Sequence, residues 1–202
     1  QSASGNLRSG VMRLFLAINL PSPVVAAIDH EAAALRAAAP ALRWIPPAKW
    51  HLTVRFIGEQ PLERLGAIRD AVDAATSRHP EAPLAIGGVG AFPNFRRARI
   101  VWIGVAPDPR LEMLHHDIES ACVASGMEHE GRPFRPHVTI ARVPPGVDEG
   151  QLRALSRAAR AVRYSEVIDA SSVDLMASEL APDGPRYRLL HSSPLAAAVR
   201  HQ

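Results

Sequence analysis

Apolar residues along this chain recur at two periods. Spacings of three and four mark four amphipathic helices. Val25, Ile28, Ala32 and Leu35 share one face of the first, with Ser22 as its cap, Pro23 at its first position and Pro40 as its stop. Leu62, Leu65, Ile68 and Val72 mark the second, after Pro61. Asp108 and Pro109 open the third, Leu111, Leu114, Ile118 and Cys122 line it, and Gly126 ends it. The fourth starts at Asp148, with Gln151 placed for a capping box and Leu152, Leu155 and Val162 on its face. Runs rich in β-branched, aromatic and leucine residues, bounded by Gly and Pro, predict strands over 13–20, 50–57, 84–89, 100–105, 137–143, 173–180 and 186–191.

These elements repeat. A shift of 86 residues lays Arg13 on Arg99, Pro21 on Pro107, Ser22 on Asp108, Pro23 on Pro109 and Ile28 on Leu114. The same shift lays His51 on His137 and Thr53 on Thr139. Two units predict two similar lobes, because a solenoid needs at least three. The expected fold is α+β: two pseudo-symmetric lobes, each an antiparallel sheet backed by helices, with a cleft between the sheets.

The matched strands are Trp50-His51-Leu52-Thr53-Val54 and Pro136-His137-Val138-Thr139-Ile140. Residues two apart on a strand share a face, so His51 and Thr53 point one way while Leu52 and Val54 enter a core. His137 and Thr139 do the same against Val138 and Ile140. If the lobes face each other, two imidazoles and two hydroxyls line one cleft. Such a set suits phosphodiester chemistry: one imidazole takes a proton from water and the other gives one to the departing oxygen. The hydroxyls can donate to non-bridging phosphate oxygens, and no metal is required.

Composition narrows the classes. Cys122 is the only cysteine, which excludes an intrachain disulfide and a thiolate cluster and fits a reducing compartment. Lys49 is the only lysine, so 22 of the 23 basic residues are arginine. That count, against 20 acidic residues, leaves a net charge of +3, a mild bias toward an anionic partner such as RNA. No apolar run approaches the length of a membrane span. Residues 1–10 lack the apolar stretch of a signal peptide and read as a disordered leader. Residues 11–202 read as a single bilobal domain.

The paired motifs resemble those of the two-histidine (2H) phosphoesterase superfamily, and within it the bacterial RNA 2′,3′-cyclic phosphodiesterases, formerly described as 2′-5′ RNA ligases. The likeness runs through Arg13-Leu-Phe-Leu-Ala-Ile-Asn-Leu-Pro21, His51-Leu-Thr-Val-Arg-Phe-Ile-Gly-Glu59 and Arg132-Pro-Phe-Arg-Pro-His-Val-Thr-Ile-Ala-Arg142. It closes with Leu175-Met-Ala-Ser-Glu-Leu180 and Gly184-Pro-Arg-Tyr187. Val54, Ile57 and Ile140 stand where leucine is commoner. The resemblance implies hydrolysis of a terminal 2′,3′-cyclic phosphate to a 2′-phosphate, with His51 as proton donor, His137 as proton acceptor and Thr53 and Thr139 on the phosphate. It also implies that Arg142 binds phosphate and Phe56 stacks on the terminal base. Strict alternation puts these two on the face opposite the histidines, so a strand end or bulge must redirect them. The expected protein is a cytoplasmic monomer acting on RNA ends, with no cofactor, metal or membrane partner.

Rival readings are a phosphodiesterase for small cyclic nucleotides, a 2′-5′ ligase running the reaction backwards, and an RNA-end-binding module without catalysis. Ligation through a lysyl adenylate is disfavoured, because Lys49 sits in no Lys-X-Asp-Gly motif. His115 and His116 point about 100° apart on a helix and cannot easily share an ion. Gly87-Gly88-Val89-Gly90 lacks the lysine of a phosphate loop and reads as a strand-ending turn. Arg96, Arg97 and Arg99 read as a basic rim for RNA or a solvated hairpin.

Overall fold

The computed structural model describes residues 10–182 and 184–197. All of the expected leader except Gly10 lies outside them. In chain order the elements are β1 (Val11–Asn19), α1 (Ser22–Ala38), β2 (Arg43–Trp44), β3 (His51–Pro61), α2 (Leu65–Thr76), β4 (Ala82–Phe92), β5 (Ile100–Val105) and α3 (Pro109–Ala124). There follow β6 (His137–Arg142), α4 (Glu149–Ala161), β7 (Ser165–Ala170), β8 (Ser172–Glu179) and β9 (Arg186–Pro194). Strands β2 and β7 are additions to the elements read from sequence.

The strands run in the order β7-β4-β5-β6-β3-β1-β8-β9, with β2 also paired to β6, and every pairing between strands is antiparallel. Two four-stranded halves therefore meet at β3 and β6. Their seam rests on one Cα pair, Leu52 with Val138, whereas β1 and β3 stay paired from Val11–Pro61 to Asn19–His51. Strands joined at a single pair are free to splay along that line.

The halves are not the sequence repeats. Each repeat sends its fourth strand across: β4, from the first, pairs with β5 of the second, and β8 pairs back with β1. The helices cross too, α1 packing on α4 and α2 on α3. One apolar core results. It joins Ile28 and Leu35 of α1, Ile68 and Val72 of α2, Leu114 and Ile118 of α3 and Leu155 of α4 to Leu52, Val54, Val138 and Ile140 beneath the seam. Complete burial of a leucine or isoleucine side chain contributes about 1.5–3 kcal/mol, so this core holds the histidine strands in place from below.

Three local expectations need correction. Ser22 does not cap α1: the first helical bond runs from the Val25 amide to the Pro21 carbonyl, which puts proline, with no side-chain acceptor, at the cap. Asp108 and Asp148 do cap their helices, accepting from the amides of Arg110 at 2.8 Å and Gln151 at 3.0 Å. The glycine run is not a turn but the middle of β4. Gly88, at φ +67°, is the extra residue of a bulge, and Gly90 lies under the Trp102 indole, where a Cβ would stand 2.1 Å from a ring carbon. Finally, the offset of 86 slips to 85 between β1 and β5. Ala17 faces Thr53 while Trp102 faces Thr139, so Arg99 is not the counterpart of Arg13.

Among the described residues no helix is long and apolar enough to cross a membrane.

Candidate active site

The Leu52–Val138 pair fixes the arrangement of the four motif residues. Moving one residue along each strand sets His51 across from Thr139 and Thr53 across from His137. All four lie on the face that Leu52 and Val138 leave. The histidines are thus diagonal neighbours, a relation that puts Cα atoms about 7–8 Å apart in a regular ladder.

Both rings are held alike. His51 Nδ1 lies 2.8 Å from the Lys49 carbonyl oxygen and His137 Nδ1 lies 2.6 Å from that of Arg135. A carbonyl oxygen only accepts, so each Nδ1 carries the hydrogen and donates it. Each Nε2 is left to accept a proton when neutral or to give one when charged.

Aromatic rings wall the two imidazoles. Phe15 and Tyr187 stand 4.9 and 5.3 Å from His51, and Phe92 and Trp102 stand 5.1 and 6.3 Å from His137. Burial pushes the pKa of His51 below its ordinary value; the Lys49 carbonyl works against this, and the nearby charge of His137 adds to the lowering. Coupling between the rings is what a shared phosphate site requires.

Phe56 and Arg142 reach the same face through bulges. On β3, Ala17 pairs with Thr53 but Leu16 with Arg55, so Val54 is extra and both Val54 and Arg55 turn inward. On β6, Trp102 pairs with Thr139 but Val101 with Ala141, so Ile140 is extra. Alternation resumes one residue late on each strand, and Phe56 and Arg142 emerge exposed on the histidine side. All six residues expected at the site are therefore brought to one face.

The inward turn of Arg55 places a guanidinium in the core, its side chain 1% exposed. Its Nε donates to Glu119 Oε2 and its Nη2 to the Glu128 carbonyl at 2.6 Å. Glu119 Oε1 accepts from the Glu130 amide at 2.8 Å, and Glu130 Oε2 accepts from the Phe56 amide at 3.0 Å. The segment leading to His137 is thus tied to the bulge that projects Phe56. Sequence reading missed Arg55 and the four aromatic walls. The signal for Arg55 was a charge amid apolar residues, just where alternation had to fail if Phe56 was to face outward.

Other candidates resolve as structural. His115 stacks on Phe134, ring centroids 4.2 Å apart and nearly parallel. His79 and His191 meet Asp117 and Asp73 at 2.9 and 2.8 Å. Cys122 is buried, and burial pushes its thiol up to about 11, which makes it inert near neutrality.

The family model of the 2′-5′ RNA ligase superfamily matches residues 21–179 of this chain. An RNA 2′,3′-cyclic phosphodiesterase of Escherichia coli K12 is 33% identical over 168 residues, covering 76% of this chain and 92% of the relative. One from Geobacillus stearothermophilus is 29% identical over 184 residues, 91% of this chain, which spans only 57% of that longer protein. A solved protein of Thermus thermophilus superposes with a TM-score of 0.76 at 26% identity, covering 94% of this chain and all of its own. Escherichia coli LigT complexed with 3′-AMP superposes with a TM-score of 0.67 at 28% identity, covering 92% and 98%.

Proposed function

The chain belongs to the 2′-5′ RNA ligase superfamily, and from that premise we propose that it is an RNA 2′,3′-cyclic phosphodiesterase leaving a 2′-phosphate and a free 3′-hydroxyl. The observation that carries this reading is the pair of Nδ1-anchored imidazoles set diagonally on one face with two threonines between them. Relatives bearing that activity in their names, matched over most of this chain, support it.

The cyclic phosphate sits over the seam. A water oxygen attacks phosphorus as His137 Nε2 takes its proton, and the P–O3′ bond breaks as His51 Nε2 gives its proton to O3′. Both protons are accounted for, and the histidines end with their charges exchanged. Thr53 and Thr139 donate to the non-bridging oxygens, where charge gathers in the transition state, and Arg142 adds a fixed positive charge. Phe56, 54% exposed, offers its ring to the terminal base. His51 must be charged to act as the acid, yet burial favours its neutral form. An anionic phosphate beside Nε2 draws its pKa back up, so substrate binding loads the acid.

Run backwards with an RNA 5′-hydroxyl in place of water, the same steps form a 2′-5′ linkage, which the superfamily's name favours as a second reading. The deciding test offers an RNA ending in 2′,3′-cyclic phosphate in excess EDTA and reads the product by phosphorus NMR. A 2′-phosphomonoester is expected. A dominant 3′-phosphate would reverse the assignment of acid and base, and no turnover would leave only an RNA-end-binding module.

A further inference from the structure

The two halves of the sheet differ in how they treat charge on the histidine face. On the His51 side, Arg13 is the cross-strand partner of Glu59, an opposite-charge pair. On the His137 side, Arg142 of β6 is the cross-strand partner of Arg43 of β2. Direct partners share a face, and like charges set opposite each other are destabilising. Trp44, the next residue, pairs with buried Ala141 and packs on the core, which leaves Arg43 outward beside Arg142.

Among the described residues, no carboxylate forms an ion pair with either arginine. Among the described residues, the ion pairs formed by arginine involve neither Arg43 nor Arg142, nor Arg96, Arg97 or Arg99. Arg96 and Arg97 lie exposed on a short 3-10 turn between β4 and β5, and the chain from that turn reaches β6 where the Val143 amide donates to the Arg99 carbonyl at 2.9 Å. Helix α4 packs against the turn, but its carboxylates are engaged: Asp148 holds Gln151 at 3.0 and 2.9 Å and Glu149 meets Arg153 at 3.0 Å. Strands β2 and β5 lie on opposite edges of β6, so the turn stands across Arg142 from Arg43, and what the fold sets side by side at the phosphate site is the uncompensated pair Arg43 and Arg142, a place for a second phosphate.

We propose that Arg43 binds a backbone phosphate of single-stranded RNA upstream of the cyclic end, a contact that selects oligonucleotides over mononucleotides. This rests on the phosphodiesterase reading. Arg142 neutralises the reacting phosphate, and Arg43, its cross-strand partner on β2, takes the neighbouring diester. The repulsion between the two is relieved only when both anions are present.

The test compares wild type and Arg43→Gln on a nucleoside 2′,3′-cyclic phosphate and on an RNA of about ten nucleotides with the same end. For the RNA, KM should rise roughly tenfold with kcat unchanged, since hydrogen bonds between charged groups are lost from binding alone. The slope of log KM against log salt should shrink by about 0.7 for each phosphate contact removed. KM for the nucleoside should stay within about twofold of wild type, and the Tm of Arg43→Gln should equal or exceed it, because a like-charge pair has been relieved. An unchanged KM and salt slope on the RNA overturns the proposal. So does an equal rise on both substrates, which would put Arg43 in the cyclic-phosphate site itself. Failure of wild type to turn over either substrate refutes the phosphodiesterase reading instead. Fluorescence anisotropy with a 3′-phosphorylated RNA of the same length then reads the same contrast without turnover.

Discussion

Phe56 and Arg142 hold equivalent places on β3 and β6, each carried onto the histidine face by one extra residue in its strand. The repeat has thus been kept in backbone and broken in chemistry: an apolar ring lies on one side of the seam and a guanidinium on the other. In the proposed function, that difference is what would orient a substrate whose one end is a base and whose other end is an anion.

Replacing Phe56 with alanine should weaken binding of an RNA end by about 1–3 kcal/mol, the range for stacking on an aromatic side chain. A cyclic phosphate on a ribose without a base should bind the variant and the wild type equally. Arg142→Ala should instead weaken both substrates. Inhibition constants measured with and without a base on the ligand separate the two effects. A baseless ligand that loses as much affinity as the RNA in Phe56→Ala would refute the stacking role.

Either His51→Ala or His137→Ala should lower kcat roughly 10²–10⁴-fold, the usual contribution of a positioned acid or base. The double variant should cost far less than the product of the two single effects, because the pair acts as a unit. Thr53→Ala and Thr139→Ala remove one donor each and should cost less. Circular dichroism should show the fold intact, since all four side chains lie on one face of the sheet and the core beneath them is untouched. Single-turnover rates at saturating substrate check the chemistry directly, and wild-type rates in a histidine variant would exclude that residue.

Much of this site could be read from the chain because its decisive features are local. A histidine two residues from a threonine in an apolar alternation gives face and spacing on any strand, and the helix faces follow from their three-and-four rhythm. What stayed hidden depends on pairing between distant segments. Strand β2 is two residues long and exists only because β6 offers it a partner. Strand β7 is an edge, with Val167 65% exposed and only Ile168 and Ala170 turned to the core, so its inward face is too short to mark a strand. The exchange of β4 and β8 between repeats leaves no local trace, because either partner would satisfy the same backbone groups. The bulges were foreseen only as a need, since Phe56 and Arg142 had to come round. Their cost is visible at Arg55, which they force into the core.

The pH dependence follows from His51. In the free protein burial holds its pKa below the ordinary imidazole value, with the Lys49 carbonyl opposing and the charge of His137 assisting. The acid therefore loses its proton early as pH rises, and the alkaline limb of kcat/KM should fall at lower pH than the alkaline limb of kcat, where bound phosphate raises His51. Removing the neighbouring charge in His137→Asn should move His51 upward, though burial keeps it below an exposed histidine. Proton NMR titration of the His51 ring in both proteins, with and without inorganic phosphate, checks each step. A pKa for His51 that ignores both His137 and phosphate would mean that the rings do not share a site.

Stability should depend on Glu119 more than on any surface ion pair. Its side chain is 10% exposed and that of Arg55 only 1%, so neither charge is served by water. Glu119→Gln keeps the shape and an oxygen for the Glu130 amide but leaves Arg55 buried without a counter-charge. Removing one partner of such a pair costs about 3–5 kcal/mol. Arg55→Met/Glu119→Leu, which removes both charges, should recover much of that loss. The sign with pH is fixed by the direction of the Glu119 shift. Burial raises its pKa, but the hydrogen bonds from Arg55 and the Glu130 amide, with the charges of Arg55 and His129, lower it by more. The folded value lies below the unfolded one, so this carboxylate's contribution is complete above the unfolded pKa and fades as pH falls through the folded one. Wild type should lose stability more steeply with acid than Glu119→Gln, which has no proton to take up there, and the two curves should converge at low pH. Urea melts at a series of pH values measure both the gap and its closure. Parallel curves with a constant gap would show that Glu119 acts by shape rather than by charge. The same melts bear on activity, because Glu130 hangs from Glu119 and holds the Phe56 amide. Conditions that protonate Glu119 should therefore loosen the base-stacking ring before the sheet unfolds, and KM for RNA should rise with acid ahead of the fall in Tm.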